Sequence, residues 1–199
     1  MITVITTTAS LCGIESARYE ENPEKLDRAL RQDLMLHACM FTLSGIPVLY
    51  AGDEIGQEND YSYHDDPLKA ADSRYLHRGR MNWAAAEKRS DPEAPEGRLF
   101  QTLRKLETLR EGHRVFDGRA DVWILDTKDD SVLGIGRYHD GEKLLALFNF
   151  AETERWVSLP DELGEYCDLM EGTPVDKGAL RLLPGGFLWL ICDFNRVES

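Results

Sequence analysis

The sequence predicts a chain of two parts, an α/β part over residues 1–115 and an all-β part over residues 116–199. Three observations carry this prediction. Residues 23–44 have apolar side chains at helical spacing, residues 46–51 form a short apolar run before a polar cluster, and after about Asp121 short apolar runs alternate with turn residues.

The helix predicted over residues 23–44 has a signal at each end. Asn22 is a suitable N-cap, Pro23 fits the first helical position, and Gly45 ends the pattern. The apolar run over residues 46–51 does not alternate with polar residues, which is typical of a parallel strand that is covered on both faces. One such strand cannot form a sheet, so the pattern implies neighbouring strands from outside this segment.

The segment over residues 57–95 is polar and dotted with aromatic residues. It is longer than an ordinary loop, which indicates either a functional lid or disorder. Helical spacing returns over residues 96–111. Beyond it we predict an antiparallel sandwich of six to eight strands with a hairpin at Asp140 and Gly141. Five aromatic residues of these strands are expected in its core: Trp123, Phe148, Phe150, Trp156 and Trp189.

Composition and charge exclude several classes of partner. The formal net charge of −13 disfavours nucleic acid and anionic membrane surfaces, whereas a neutral sugar meets no such penalty. The four cysteines form no CxxC pair and lie near no His at zinc spacing, so we predict no metal site and expect small buried thiols in a reduced compartment. No apolar run approaches the ~20 residues of a membrane span, and the start does not resemble a signal peptide. We therefore expect a cytoplasmic protein.

Three motifs, SLCGIE, SGIPVLYAGDEIG and DSRYLHRGRMNW, resemble the eighth-strand region of the α-amylase superfamily, glycoside hydrolase family 13. The similarity is greatest to the amylosucrase and sucrose hydrolase branch. It implies the last part of a (β/α)8 barrel followed by a C-terminal antiparallel β-sandwich. In that arrangement the barrel elements and the sandwich are helix seven (23–44), strand eight (46–51), the eighth βα loop (52–95), helix eight (96–111) and the sandwich (121–199).

The carboxyl groups that react in this family are expected to lie outside this chain. Retaining glycoside chemistry needs two carboxyl groups about 5–5.5 Å apart. The resemblance implies that they follow strands four and five, with a third in a His-Asp motif after strand seven, yet residues 1–22 contain neither His nor Asp. The adjacent Asp53 and Glu54 leave the predicted strand in different directions, so we expect them to cap backbone amides and pair with Arg. We predict no catalytic residue here.

Four residues of the eighth loop are predicted to bind substrate: Arg74, His77, Asp60 and Tyr61. The resemblance implies that Arg74 helps to close a glucosyl pocket and pairs with an acid from outside this chain. The alternative is a solvated surface Arg. The polar and aromatic residues around Tyr61 suit a sugar site and suit any exposed loop equally.

The resemblance implies a parent enzyme of carbohydrate metabolism, a retaining glucosyltransferase or hydrolase acting on sucrose or an α-glucan without a cofactor. Oligo-α-glucosidase and trehalose synthase are alternatives on the same scaffold. The chain's partner would be the N-terminal part of the barrel or another copy of itself. A different class of explanation also stands: a truncated reading frame that yields a non-catalytic fragment, a complementing half or a sugar-binding module.

Overall fold

The computed structural model describes residues 6–158, 165–175 and 178–193. The chain forms two compact units. The first comprises Met1–Asp33 and Val48–Leu103, and the second comprises Leu34–Pro47 and Arg104–Ser199. The boundary between residues 115 and 116 lies within the second unit and stays a prediction about folding domains.

The helical elements include both long helices that the sequence predicts. Asn22 caps the first of them, because its side-chain oxygen accepts a hydrogen bond from the Lys25 amide at 3.0 Å. The α-helices are α1 (Thr8–Cys12), α2 (Ile14–Tyr19), α3 (Pro23–Thr42), α4 (Trp83–Glu87) and α5 (Pro95–Gly112). Short 3-10 helices cover Asp53–Ile55, Tyr61–Asp65, Ser73–His77, Lys88–Ser90 and Arg114–Phe116.

The strand predicted over residues 46–51 is wrong for this structure. The segment pairs with no strand among the described residues, and only one of its faces is partly covered: Pro47 and Leu49 are half-buried, whereas Ile46, Val48 and Tyr50 are exposed. Ile46 is 91% exposed and Val48 is 76% exposed. The physical reason is that a strand needs a hydrogen-bonded neighbour, and every strand that the structure describes lies beyond residue 120.

The loop over residues 52–95 is ordered by short helices that begin at polar caps. Asp60 and Asp72 each accept a hydrogen bond from the backbone amide two residues later, and Asn82 accepts one from the Ala85 amide. Such side chains replace the backbone acceptors that the first turn of a helix lacks. Local sequence therefore accounts for much of the shape of this loop.

The second unit contains eight described strands in two antiparallel sheets. The large sheet has the order β1-β2-β3-β8-β5-β6, and β4 pairs with β7. Asp140 and Gly141 both have positive φ and join β2 to β3, which confirms the predicted hairpin. The strands are β1 (Asp121–Leu125), β2 (Val132–His139), β3 (Glu142–Asn149), β4 (Arg155–Ser158), β5 (Tyr166–Asp168), β6 (Thr173–Val175), β7 (Ala179–Leu182) and β8 (Phe187–Asp193).

One core lies between the two sheets. The large sheet contributes Leu145, Leu147 and Leu190, and the small sheet contributes Val157 and Leu182. Each of these side chains is at most 1% exposed. The β-rich second part of the prediction is therefore confirmed.

The aromatic residues divide between core and surface. Phe148 and Trp189 are fully buried, as predicted, and Trp123 is half-buried. Trp156 is 56% exposed and Phe150 is 50% exposed, so the prediction of a core position is wrong for both. Side chains alternate between the faces of a strand, and Val157 occupies the inward face of β4 next to Trp156.

Arg137 on β2 is a fully buried cation whose main partners are backbone carbonyls, with the Ser44 hydroxyl oxygen accepting one further hydrogen bond at 3.3 Å. Its guanidinium donates to the carbonyl oxygens of Val115 at 2.8 Å, Thr42 at 2.9 Å and Asp117 at 3.0 Å. Burial, more than the nearby charge of Arg110, lowers the pKa of Arg137. The three hydrogen bonds offset part of the cost of burying the charge.

Arg110 completes the set of donors at the end of α3. Its guanidinium donates to the carbonyl oxygens of Phe41 and Leu43, and to that of Gly45 at 2.7 Å. The last carbonyls of a helix have no partner within it and carry the negative end of its dipole. Two arginines from the second unit thus satisfy the C-terminal end of α3.

Asn149, at the end of β3, joins the large sheet to the small one. It is fully buried, and its Nδ2 donates to the carbonyl oxygens of Thr153, Leu182 and Leu183, each at 3.0 Å. Its Oδ1 accepts from the Ala151 amide at 2.9 Å. One amide side chain therefore holds the turn after β3 against the end of β7.

We expect Arg137→Met to lower the free energy of unfolding by about 2–4 kcal/mol, because three buried carbonyl groups lose their donor. Urea unfolding followed by circular dichroism measures the change. Arg119→Met is the matched control, since the Arg119 side chain is 80% exposed, and it should leave stability unchanged within error. Equal stability of the two variants would contradict a structural role for Arg137.

We expect Asn149→Asp to destabilise the second unit by about 2–4 kcal/mol at neutral pH, because a carboxylate would face three carbonyl oxygens without a proton to donate. Asn22→Asp is the control, since the cap of α3 needs only an acceptor oxygen. Thermal unfolding of both variants tests this. A loss in Asn22→Asp as large as that in Asn149→Asp would refute the assignment.

Candidate substrate-binding site

Arg74 forms a local ion pair with Asp72. Its Nε and Nη2 donate to the two carboxylate oxygens at 2.8 Å and 2.7 Å, and Asp72 also accepts from the Arg74 amide. These bonds hold the pKa of Asp72 at about 2. The Arg74 side chain is 61% exposed, and its Nη1 makes no hydrogen bond to the part of the chain that the structure describes.

The same Asp-x-Arg geometry occurs again in the second unit. Arg119 donates through Nε and Nη2 to Asp117 at 2.9 Å and 3.0 Å, and the Arg119 amide donates to the same carboxylate. The pair is thus a product of the local sequence pattern. The ion pair by itself does not mark Arg74 as a binding residue.

His77 ends the 3-10 helix that begins at Ser73. Its ring lies 5.6 Å from the ring of Tyr50, measured between centroids. Its Nδ1 is buried and has no hydrogen-bond partner among the described residues. A buried nitrogen without a partner is uncommon and is available to a ligand or to a water molecule.

Asp60 and Tyr61 begin the 3-10 helix Tyr61–Asp65. The Asp60 Oδ1 accepts from the hydroxyl of Ser62 at 2.6 Å and from its amide at 2.9 Å, and these bonds lower the pKa of Asp60. The Asp60 amide donates to the Leu76 carbonyl at 2.7 Å, which connects two segments of the loop. Tyr61 is 55% exposed, with its hydroxyl 3.5 Å from the Asn59 Nδ2.

Two cavities of the first unit share Asp60 and Arg80. The first, of about 280 Å³, is called here the polar cleft, and the second, of about 510 Å³, the tyrosine cleft. The four predicted residues do not line one cavity: Asp60 lines both, whereas Arg74, His77 and Tyr61 line neither. The polar cleft is lined by Arg18, Ile55, Gly56, Gln57, Glu58, Asn59, Asp60, Arg80, Asn82 and Ala85.

Sequence reasoning did not identify the polar cleft. Arg18 lies 40 positions before Glu58, and only the fold places its guanidinium 2.7 Å from Glu58 and 2.8 Å from the buried Glu96. Asn82 did carry a signal, because it precedes a short run of good helix formers and acts as a cap. Gln57 stands in the loop sequence without any comparable signal.

Asp53 and Glu54 are engaged with the backbone. Asp53 accepts from the Tyr50 amide at 3.2 Å, and Glu54 accepts from the Gly52 amide at 2.8 Å. The prediction that they cap backbone amides is confirmed. Their carboxylates stabilise the turn after residue 51.

The cysteines and the titratable clusters supply no further chemistry within the described residues. No disulfide joins any of the four cysteines, all of which lie in the described parts of the chain, and burial together with Asp33 and Asp53 raises the pKa of Cys12 to about 12. Cys167 is exposed, so the prediction of a buried thiol is wrong there. In the described parts, no three His, Cys, Asp or Glu side chains are grouped to hold a metal ion. Among the described helices, none is both long and hydrophobic enough to span a membrane.

No protein-family model matches the chain. It is similar to glucosylglycerate phosphorylase of Escherichia coli (strain K12), 25% identical over 184 residues that cover 86% of this chain and 32% of that protein. It is 28% identical over 176 residues to intracellular maltogenic amylase of Bacillus subtilis, covering 85% and 26% of the two chains. Trehalose synthase of Thermus thermophilus is 26% identical over 147 residues, covering 64% of this chain and 15% of that protein. The chain thus spans about a third or less of these relatives.

Solved structures show the same fold. Trehalose-6-phosphate hydrolase of Bacillus licheniformis aligns over 81% of this chain and 38% of its own, with 19% identity and a TM-score of 0.59. An α-amylase of Anoxybacillus aligns over 84% of this chain and 33% of its own, with 22% identity and a TM-score of 0.57. The relatives and structural neighbours of this chain are members of the α-amylase family, glycoside hydrolase family 13.

Proposed function

We propose that this chain is the C-terminal part of a retaining α-glucoside-active enzyme of glycoside hydrolase family 13, of the amylosucrase and sucrose hydrolase branch. The observation that carries the proposal is the similarity to enzymes of this family over most of this chain but a third or less of theirs. The loop motif DSRYLHRGRMNW supports the finer assignment to the sucrose-active branch. The substrate would be sucrose or an α-glucan.

In the proposed enzyme, Arg74 binds a carboxylate and sugar hydroxyls. Its guanidinium is held only by an exposed pair with Asp72 and keeps Nη1 available, so it can take a second acceptor without breaking a buried contact. A planar fork of donors suits both a carboxylate and a pair of hydroxyl groups. The buried Nδ1 of His77, without a partner in the described segments, would accept or donate one more hydrogen bond to the same sugar.

The reacting carboxyl groups would come from outside this chain. Asp53 and Glu54 serve the backbone, and the chain has no His-Asp motif before α3. In a retaining reaction, one carboxylate displaces the aglycone while a carboxylic acid protonates it. Water or a glucan hydroxyl then takes up the glucosyl group. The loop over residues 52–95 and the sandwich would supply binding and support, with no cofactor.

Residues 46–51 would pair with a strand from the rest of the barrel. Ile46, Val48 and Tyr50 alternate along the chain and expose between 50% and 91% of their surface, which suits a segment that becomes a strand when it pairs with the N-terminal part or with another copy. Cysteines that form no disulfide are typical of a reducing compartment, which supports a cytoplasmic location. The alternative enzymes, an oligo-α-glucosidase or a trehalose synthase, would use the same scaffold with a different acceptor. A non-catalytic sugar-binding or complementing module is the alternative that the exposed segment favours.

We expect the purified 199-residue chain to hydrolyse neither sucrose nor maltose nor trehalose, because it lacks both reacting carboxyl groups. Release of glucose over several hours measures the activity, with a family amylase as the positive control. Sustained turnover that Asp53→Asn or Glu54→Gln abolishes would show that the chain carries its own catalytic group.

In the complete enzyme we expect Arg74→Ala to lower kcat/KM on the order of a hundredfold, because a carboxylate partner and a sugar hydroxyl lose their donor. Arg74→Lys should restore little, since an ammonium group cannot form the bidentate contact. Arg119→Ala is the matched control, because it removes the same local ion pair elsewhere and should leave kcat/KM unchanged. A folded Arg74→Ala enzyme within about twofold of the wild type would make Arg74 a surface residue.

A further inference from the structure

We infer that the polar cleft is a second carbohydrate site, one that binds a hydroxyl-rich neutral ligand apart from Arg74 and His77. The inference rests on the proposed function only for the kind of sugar, an α-linked glucan chain. The chemical class follows from the side chains that line the cleft. It would let the loop hold a glucan beyond the unit that reacts.

Two amide side chains are fixed with their donors unused. The Gln57 Oε1 accepts from the Asn82 amide at 3.2 Å, and the Asn82 Oδ1 accepts from the Ala85 amide at 3.1 Å. Gln57 also packs closely on Gly52, where an added Cβ would lie 2.8 Å from the Gln57 Cβ. Because both oxygens are engaged, the NH2 groups remain as donors, and neither has an acceptor among the described residues.

The cleft contains two guanidinium groups, of which one is hydrogen-bonded to carboxylates and the other is not. Arg18 donates through Nη1 to Glu58 and through Nη2 to Glu96. Arg80 makes no hydrogen bond or ion pair with any residue that the structure describes. Its donors therefore add to those of Gln57 and Asn82.

Two carboxylates supply acceptors beside these donors. The Glu58 Oε1 is engaged with Arg18 and the Asp60 Oδ1 with Ser62, while the second oxygen of each has no donor within the described segments. An anion would be repelled by both carboxylates, and a cation would be repelled by both guanidinium groups. A sugar hydroxyl both donates and accepts, so a neutral polyol satisfies the two kinds of group at once.

The tyrosine cleft extends the site through Asp60 and Arg80, which line both cavities. It adds the ring of the half-buried Tyr75, and an aromatic ring packs well against the C–H face of a pyranose. Taken together as one groove, the two cavities of about 280 and 510 Å³ have a combined volume within the range of about 300–1,000 Å³ that is usual for ligand pockets. The combined volume favours an oligosaccharide over a single sugar.

The test is an NMR titration of the ¹⁵N-labelled 199-residue chain with glucose, maltotriose and maltopentaose, and with inorganic phosphate as the anionic probe. We expect maltopentaose to bind with a dissociation constant on the order of 1 mM and more tightly than glucose. The shifted amide signals should belong to residues 57–60 and 80–85. Phosphate should move none of them.

Three variants separate binding from folding. Gln57→Glu and Asn82→Asp keep the oxygens that the backbone needs and remove the NH2 donors. Arg80→Ala removes a side chain that has no hydrogen bond or ion pair among the described residues. Each should weaken maltopentaose binding about threefold to tenfold with an unchanged melting temperature. Gln101→Glu adds the same charge outside the cleft and should bind as the wild type does.

Several outcomes would overturn the inference. These are no shift at residues 57–60 and 80–85 at saturating sugar, folded variants that bind like the wild type, and phosphate binding at the same residues. The proposed function fails separately. If Arg74→Ala keeps its activity while the cleft binds maltopentaose, the proposed role of Arg74 fails and the cleft stands. If Arg74→Ala is inactive and the cleft binds no sugar, only the cleft fails.

Discussion

The second unit depends on how the C-terminal end of α3 is satisfied. The chain buries a guanidinium, Arg137, and gives it backbone carbonyls as partners. Carbonyl oxygens at a helix end carry partial negative charge, so they stabilise a cation without a second full charge that must also be desolvated. Thr42 joins this arrangement to the sheet, because its hydroxyl accepts from the buried Trp189 indole at 2.8 Å and donates to the Ala38 carbonyl.

The first unit is organised by short-range contacts instead. Asp60, Asp72 and Asn82 each begin a short helix by accepting a backbone N–H within three residues. The longer-range contact from Arg18 to Glu58 and Glu96 then joins three segments of this unit. A loop of some forty residues can thus be ordered with few buried side chains, since most of its contacts lie between near neighbours in the sequence.

Local signals predicted most of the fold and little of the site. Asn22, Pro23 and the Asp140–Gly141 turn act through their immediate neighbours, so the sequence alone located α3 and the β2–β3 hairpin. The strand predicted over residues 46–51 is wrong because a strand is defined by a partner, and the described chain supplies none. The core position predicted for Trp156 is wrong because side chains alternate along β4, and Val157 takes the inward face.

For the site, the hydrogen-bonding groups that remain unused are more informative than any motif. The Asp-Ser-Arg motif invites a functional interpretation of Arg74. The same geometry at Asp117 and Arg119, however, shows that an Asp and an Arg two residues apart form a local ion pair at both places in this chain. Gln57 and Asn82 differ, since each satisfies the backbone with one atom and leaves another without a partner in the described residues. A polar group fixed by one end has already lost much of its conformational freedom, so a ligand that completes its hydrogen bonds has less ordering cost to overcome. If the loop binds a sugar as we propose, its chemical specificity would lie in these incompletely satisfied side chains.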